Sequence, residues 1–242
     1  MSRGLAGRPV GDVVEPLALR PLLADGPLVP VWRNELGGLT FEGHRGADRV
    51  FAKWAPAGSG LDLAAERDRL SWASAFVPVP RVLDFGSYAS GDWMVTLAIA
   101  GENAVSERWL ADPGRAVAAA GAGLRALHDA LPVASCPFSW SVEDRLARAG
   151  LPAESGPAVD RLVVCHGDAC MPNTLLDEAG SCVAHVDLGA LGLADRWADI
   201  AVATWSTEWN YGPGWERTFL EAYGVDEDAE RTAYYRSLWD RT

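Results

Sequence analysis

"VVCHGDACMPNTLLDEAGSCVAHVDLG" runs from Val163 to Gly189. His-Gly-Asp comes first, then an Asn five residues beyond that Asp, then a second Asp fourteen residues after the Asn, inside an apolar run. The flanking segments LVVC, NTLLD and CVAHVDL read as strands, with a turn at Glu178–Gly180. A loop followed by a hairpin brings Asp168, Asn173 and Asp187 to one edge. Three oxygen-bearing side chains in that setting could hold a metal, activate a hydroxyl or cap turns.

Working outward, "GGLTFEGHRG" and "ADRVFAKWA" read as two strands joined at Arg45–Ala47, and "GLDLAAERDRLSWASAF" as a helix stopped by Pro78 and Pro80. "RVLDFGSY" and "WMVTLAI" make a hairpin. After Gly101 the pattern turns helical: "PGRAVAAAGAGLRALHDAL", "SWSVEDRLARAG", and, beyond the opening segment, "DRWADIAVATWST", "WERTFLEAYG" and "DAERTAYYRSLW". The expectation is an α+β chain of two lobes, residues 1–99 mostly β and residues 100–242 mostly α.

The 242 residues, 49% hydrophobic, suffice for a substantial core. Cys136, Cys165, Cys170 and Cys182 show no paired spacing and read as reduced thiols. The first residues hold neither a signal-peptide h-region nor a long apolar run, so a cytoplasmic protein without a membrane anchor is expected. The net charge of −12 argues against a nucleic-acid partner. Residues 100–242 hold 22 acidic against 11 basic side chains, whereas residues 1–99 hold 11 against 10. An anion such as a nucleotide suits the first lobe and a cationic acceptor the second. Among 21 basic residues there is one lysine, Lys53, on the strand-like "RVFAKWA".

Asp187 with the amide oxygen of Asn173 is hard-oxygen chemistry suited to Mg²⁺. Asp168 is then left to accept a hydroxyl proton, and Lys53 to meet phosphates, with Glu66 as its partner; Glu42, Asp62 and Asp68 compete for that lysine. These are the parts of a phosphoryl-transfer site. H-G-D-x4-N resembles the H-R-D-x4-N of protein kinases, and V-D-L-G stands where D-F-G would. Taken with "FAKWAP", "AAERDRLSW", "CPF", "VDLGALGLADRWADIA" and "AYYRSL", the chain resembles the aminoglycoside phosphotransferases from about residue 30 to 240.

That resemblance implies a two-lobed protein-kinase-like fold, an N-terminal nucleotide-binding lobe and a C-terminal catalytic and acceptor-binding lobe. It implies ATP with Mg²⁺, GTP remaining open as donor, and phosphorylation of an aminoglycoside hydroxyl that gives antibiotic resistance. Lys53 would contact phosphates and Glu66 position it. Thr40 could touch phosphate, and Leu97–Ile99 would supply backbone hydrogen bonds to adenine. Asp168 would orient or deprotonate the acceptor, Asn173 and Asp187 would hold Mg²⁺, and His166 would tie down the loop. Asp195 and Asp199, at a helix start, read as caps or ion-pair partners.

The acceptor side departs from the family. The segment between Cys136–Phe138 and His166 is shorter than the relatives' helical insert, Ala190 replaces an arginine, and the chain closes on "SLWDRT". Glu143, Glu208 and Asp240 are candidate ammonium contacts, and Trp205, Trp209, Tyr211 and Trp215 candidate flat faces. Three other readings remain: a kinase of another small hydroxylated acceptor, a metal-dependent hydrolase built on His166-x-Asp168 and His185-x-Asp187, and a nucleotide-binding protein without catalysis, against which the intact Asp168 argues. The hydrolase leaves Lys53, Glu66 and Asn173 unexplained. Neither the antibiotic, the hydroxyl modified nor the oligomeric state is legible.

Overall fold

The computed structural model describes residues 7–9, 11–17, 19–22 and 26–242. Part of the N-terminal stretch scanned for a leader therefore lies outside the described residues. The chain divides into two compact units, Met1–Ser74 with Pro80–Ile99, and Ala75–Val79 with Ala100–Thr242.

The first unit is a five-stranded antiparallel sheet in the order β1-β2-β3-β5-β4. The strands are β1 (Val29–Arg33), β2 (Leu39–Arg45), β3 (Asp48–Pro56), β4 (Val82–Tyr88) and β5 (Gly91–Leu97). Along central β3 the two-residue alternation buries Val50, Ala52 and Trp54, which join Leu19, Phe41, Trp93 and Val95 in one core. Lys53 and Phe51 point to the other face. The strand β1 was not anticipated. It carries Pro30, and its register with β2 shifts between Pro30 and Trp32, which an edge strand tolerates because one side of its backbone needs no ladder partner.

Helix α1 (Leu63–Ala73) begins where Asp62 accepts the N–H of Ala65 at 2.8 Å. It buries Leu63, Glu66, Leu70 and Ala73, one face at helical spacing that includes a carboxylate.

The second unit is mainly helical. It comprises β6 (Glu102–Asn103), α2 (Glu107–Leu110), α3 (Pro113–Ala130), α4 (Val142–Arg148), β7 (Leu162–Cys165), β8 (Thr174–Leu176), β9 (Cys182–His185), β10 (Gly192–Asp195), α5 (Trp197–Tyr211), α6 (Glu216–Tyr223) and α7 (Ala229–Arg241). The short strands form two small antiparallel sheets, β6-β8-β9 and β10-β7. The four-residue β10 was not anticipated either: it runs directly into α5, and too few residues precede the helix to show a strand period. Helix α5 is buried for most of its length from Trp197 to Thr207, with α6 and α7 packed on it. No helix among the described residues is long and apolar enough to cross a membrane.

Candidate active site

In the first unit, Lys53 and Thr40 face each other across β3 and β2. Lys53 Nζ donates to Glu66 Oε1 at 2.5 Å. Glu66 is only 4% exposed, so its charge has little water to fall back on and requires a close cation. The sequence rivals are engaged elsewhere: Glu42 with Arg49 at 2.8 Å and 3.0 Å, Asp68 with Arg67, and Asp62 as the α1 cap. Of the segment assigned to adenine, Leu97 gives its N–H to Arg81 and Ala98 gives its N–H to Arg49.

In the second unit, β7 runs straight into His166-Gly167-Asp168. Gly167 has φ +89°, and a Cβ there would lie 2.3 Å from the carbonyl oxygen of Ala190, so glycine is required on both counts. Beneath this turn Asp199 of α5, fully buried, accepts the N–H of His166 at 2.6 Å and of Gly167 at 2.9 Å. Its third partner is His128 Nε2 at 2.9 Å, whose Nδ1 lies 2.8 Å from the Tyr223 hydroxyl. Burial alone would raise the pKa of Asp199; the His128 hydrogen bond, the charges of His128 and His166 and the Gly167 N–H outweigh it, and the carboxyl is held below its usual range. Asp195 accepts from the Trp197 N–H two residues on, and from the Asp160 N–H across the unit. Asp199 pairs with His128 and also anchors the loop, a role that sequence spacing could not separate from capping.

The same helix holds the loop a second time. Ser206, seven residues or two turns beyond Asp199 and so on the same face, accepts the N–H of Met171 at 2.9 Å. Between these anchors lies Asp168. Its Oδ2 accepts from Asn173 Nδ2 at 3.1 Å, and its Oδ1 lies 3.0 Å from the Cys170 thiol. Burial raises the Asp168 pKa; the Cys170 and Asn173 hydrogen bonds lower it, and the nearby Asp187 carboxylate raises it again, leaving it above the ordinary value.

Asn173 also gives Nδ2 to the Asp168 carbonyl at 2.9 Å, so its amide nitrogen is committed and its oxygen turns the other way, available to a cation. Val186 donates its N–H to the Asn173 carbonyl at 2.9 Å, which sets Asp187 just beyond. Asp187 has φ +65°, alone among described non-glycine residues in the left-handed region. Such strain is concentrated at functional positions, and aspartate tolerates it better than most residues. An amide oxygen and a carboxylate fit Mg²⁺, which takes few protein ligands.

The hydrolase reading loses its ligands here. His166 Nδ1 accepts from the Asp168 N–H at 3.2 Å, which leaves Nε2 protonated and donating to the Val186 carbonyl at 3.0 Å. His185, pushed down to about 3 by burial, turns Nδ1 toward Thr174 and Nε2 toward Cys182. Both nitrogens of each ring are engaged. His128, Cys165 and Asp199 also cluster, but Asp199 is saturated by N–H donors and Cys165 gives its thiol proton to the Asp195 carbonyl. All four cysteines are free thiols.

On the acceptor side, Trp205 packs against Trp209 and Trp239, with ring centroids 4.9 Å and 6.3 Å away, and Arg236 lies over it. Trp209 stays exposed, and Asp240 follows Trp239 on α7, exposed as well. Glu143, in the first turn of α4, is also exposed. Glu208 is not brought to the loop: it lies roughly 200° around α5 from Ser206, on the face turned away. Tyr211 gives its hydroxyl to the Ala104 carbonyl, and Trp215 packs on Gly114.

Comparison with known proteins adds a family. The model of the phosphotransferase enzyme family matches residues 39–155 and 143–235. An aminoglycoside 3'-phosphotransferase of Streptomyces fradiae is 37% identical over an alignment covering 76% of this chain and 81% of the relative. A streptomycin 3''-kinase of Streptomyces griseus is 35% identical, over 95% of this chain and 98% of the relative. Among solved structures, an aminoglycoside-3'-phosphotransferase of type VIII superposes with a TM-score of 0.76 at 29% identity, covering 93% of this chain and 97% of that one. An aminoglycoside phosphotransferase of Streptomyces rimosus, solved with ADP and streptomycin, gives 0.62 at 29% identity, covering 83% and 88%.

Proposed function

Because this chain belongs to the phosphotransferase enzyme family, a two-lobed kinase-like α+β enzyme family, we propose that it phosphorylates a hydroxyl of an aminoglycoside antibiotic at the expense of a nucleoside triphosphate, and thereby gives resistance. The observation that carries the reading is the loop from His166 to Asn173. It holds a carboxylate of raised pKa and, at its end, an asparagine whose amide nitrogen is committed to Asp168. The names of its relatives, a 3'-phosphotransferase and a streptomycin 3''-kinase, supply the acceptor class.

In this reading the acceptor hydroxyl oxygen attacks the γ-phosphorus in line, its bond to the β–γ bridging oxygen breaks, and the nucleoside diphosphate departs. The hydroxyl proton passes to Asp168. Lys53, held by Glu66, neutralises phosphate charge, Thr40 lies across from it, and the backbone edge at Leu97–Ile99 takes the base of ATP or GTP. Asn173 and Asp187 would hold Mg²⁺, which when bound offsets phosphate charge. The rate would come mostly from positioning and charge neutralisation, as a loose transition state demands.

The acidic excess of residues 100–242 suits a polycationic acceptor. Trp205 and Trp209, with Asp240 and Glu143, offer flat faces and carboxylates for a cationic sugar. Glu208, on the far face of α5, is the least suited of the acids named.

The test is nucleotide consumption with Mg²⁺ against kanamycin, neomycin, streptomycin, hygromycin, choline and simple sugars, with mass spectrometry of each acceptor. A phosphorylated aminoglycoside supports the reading, and fragmentation names the hydroxyl. Turnover confined to choline or a neutral sugar would replace the acceptor and leave the transfer chemistry standing.

A further inference from the structure

We propose that Cys170 is a positioning residue for Asp168, its thiol holding one oxygen of the carboxylate while Ser206 holds the backbone immediately beyond it. The proposal rests on the reading of Asp168 as the base that takes the acceptor proton.

Two N–H donors converge on Ser206 Oγ: Met171 N at 2.9 Å and Asn210 Nδ2 at 3.1 Å. Asn210 is itself tethered by a second bond, 2.7 Å to the Ser206 carbonyl. By accepting from the Met171 N–H, Ser206 fixes the backbone immediately beyond Cys170. The thiol has Asp168 Oδ1 at 3.0 Å. A carboxylate accepts only, so the sulfur is the donor. Burial and the facing carboxylate push the thiol pKa well up, so it remains protonated and chemically inert. Ser206 is fully buried, on the helix that also holds His166 and Gly167 through Asp199, so the backbone on both sides of Asp168 and Cys170 is tied to one element.

Asp168 Oδ2 is fixed by Asn173 Nδ2, so without a contact at Oδ1 the carboxylate could still twist about that single bond. The Cys170 thiol supplies that contact and, weak donor though it is, fixes the plane of the carboxylate.

Two readouts test this. The first needs no substrate: the S–H stretching band isolated by subtracting the infrared spectrum of Cys170→Ala from that of the wild type. It should lie below the frequency of a free thiol and move toward it in Asp168→Ala. The second is kinetics with Mg-ATP and streptomycin or kanamycin, whichever is phosphorylated. Cys170→Ala should lose on the order of 10-fold in kcat, the scale of a slightly misdirected catalytic group, with the nucleotide KM unchanged. Cys170→Ser, which keeps a donor, should recover most of the loss. Ser206→Ala, which loosens the backbone beyond Cys170 without removing the thiol, should lose less.

A band at the free-thiol frequency overturns the proposal, as does wild-type kcat in Cys170→Ala while Asp168→Ala is inactive. An active Asp168→Ala enzyme overturns the base assignment and the positioning role with it; a wild-type band that is shifted and returns toward the free-thiol frequency in Asp168→Ala would then show that the failure lies in the chemistry assigned to Asp168 and not in the hydrogen bond.

Discussion

Lys53 Nζ lies 2.5 Å from Glu66 Oε1, a cation on the central strand of a sheet closed onto a carboxylate on the buried face of α1. Lys53→Ala should cost about 3 kcal/mol of stability by removing the cation that closes on the buried carboxylate. The pair Lys53→Met with Glu66→Leu should recover most of that in urea unfolding, yet stay inactive. A Lys53→Ala enzyme with wild-type kinetics would remove the lysine from phosphate binding.

The amide oxygen of Asn173 and the carboxylate of Asp187 set the expected metal response. Asn173→Ala and Asp187→Asn should each raise the Mg²⁺ concentration for half-maximal turnover by at least about 10-fold. Asp187→Asn retains a residue that tolerates φ +65°, so it isolates the charge from the backbone. A titration curve that does not move would take Asp187 out of the ligand set.

Gly167→Ala combines a positive φ with a Cβ 2.3 Å from the Ala190 carbonyl. Strain of this kind costs on the order of 1–3 kcal/mol and displaces the residue that follows. The variant should melt earlier and lose kcat far more than nucleotide affinity. Equal loss in both would mean the turn serves the fold and not the aim of Asp168.

His185 gives the stability a defined acid limb. Its folded pKa, depressed by burial to about 3, lies below the unfolded value of 6.5. The unfolded chain therefore binds the extra proton, and the stabilisation is complete above pH 6.5 and declines as pH falls toward 3. The slope from this residue is about 1.4 kcal/mol per pH unit. The unfolding free energies of wild type and His185→Gln should diverge by about 2 kcal/mol between about pH 7 and pH 5, the full slope being reached only well below pH 6.5. Parallel curves would show that His185 is not the group responsible.

Much of the architecture was legible because it rests on local periodicity. The alternation in "RVFAKWA" and the Leu63-Leu70-Ala73 face of α1 are visible in the string; Glu66 joins that face only in the structure, and its pairing with Lys53 followed from the parts a phosphoryl-transfer site needs, with Glu42, Asp62 and Asp68 as rivals. What was hidden depended on distant partners. Nothing in "DRWADIA" separates an aspartate that caps its own helix from one that reaches down to His166 and Gly167. An edge strand containing Pro30 breaks the pattern that would announce it. Glu208 looked suitable by composition, but a residue's direction around a helix counts only once its neighbours' contacts are known. Ser206 and Cys170 carried a faint signal, a small polar residue two turns from an aspartate and a thiol two residues from another.

Because α5 grips the loop at both Asp199 and Ser206, the amide hydrogens of His166, Gly167 and Met171 are sealed by one helix and not by the loop's own contacts. They cannot exchange with deuterium through local fraying. They should become labelled together, at the slow rate set by the opening of α5, although the segment they belong to has almost no regular secondary structure. The loop should thus open and close as part of the helix's cooperative unit, slow to reach solvent and quick to be restored whenever α5 refolds.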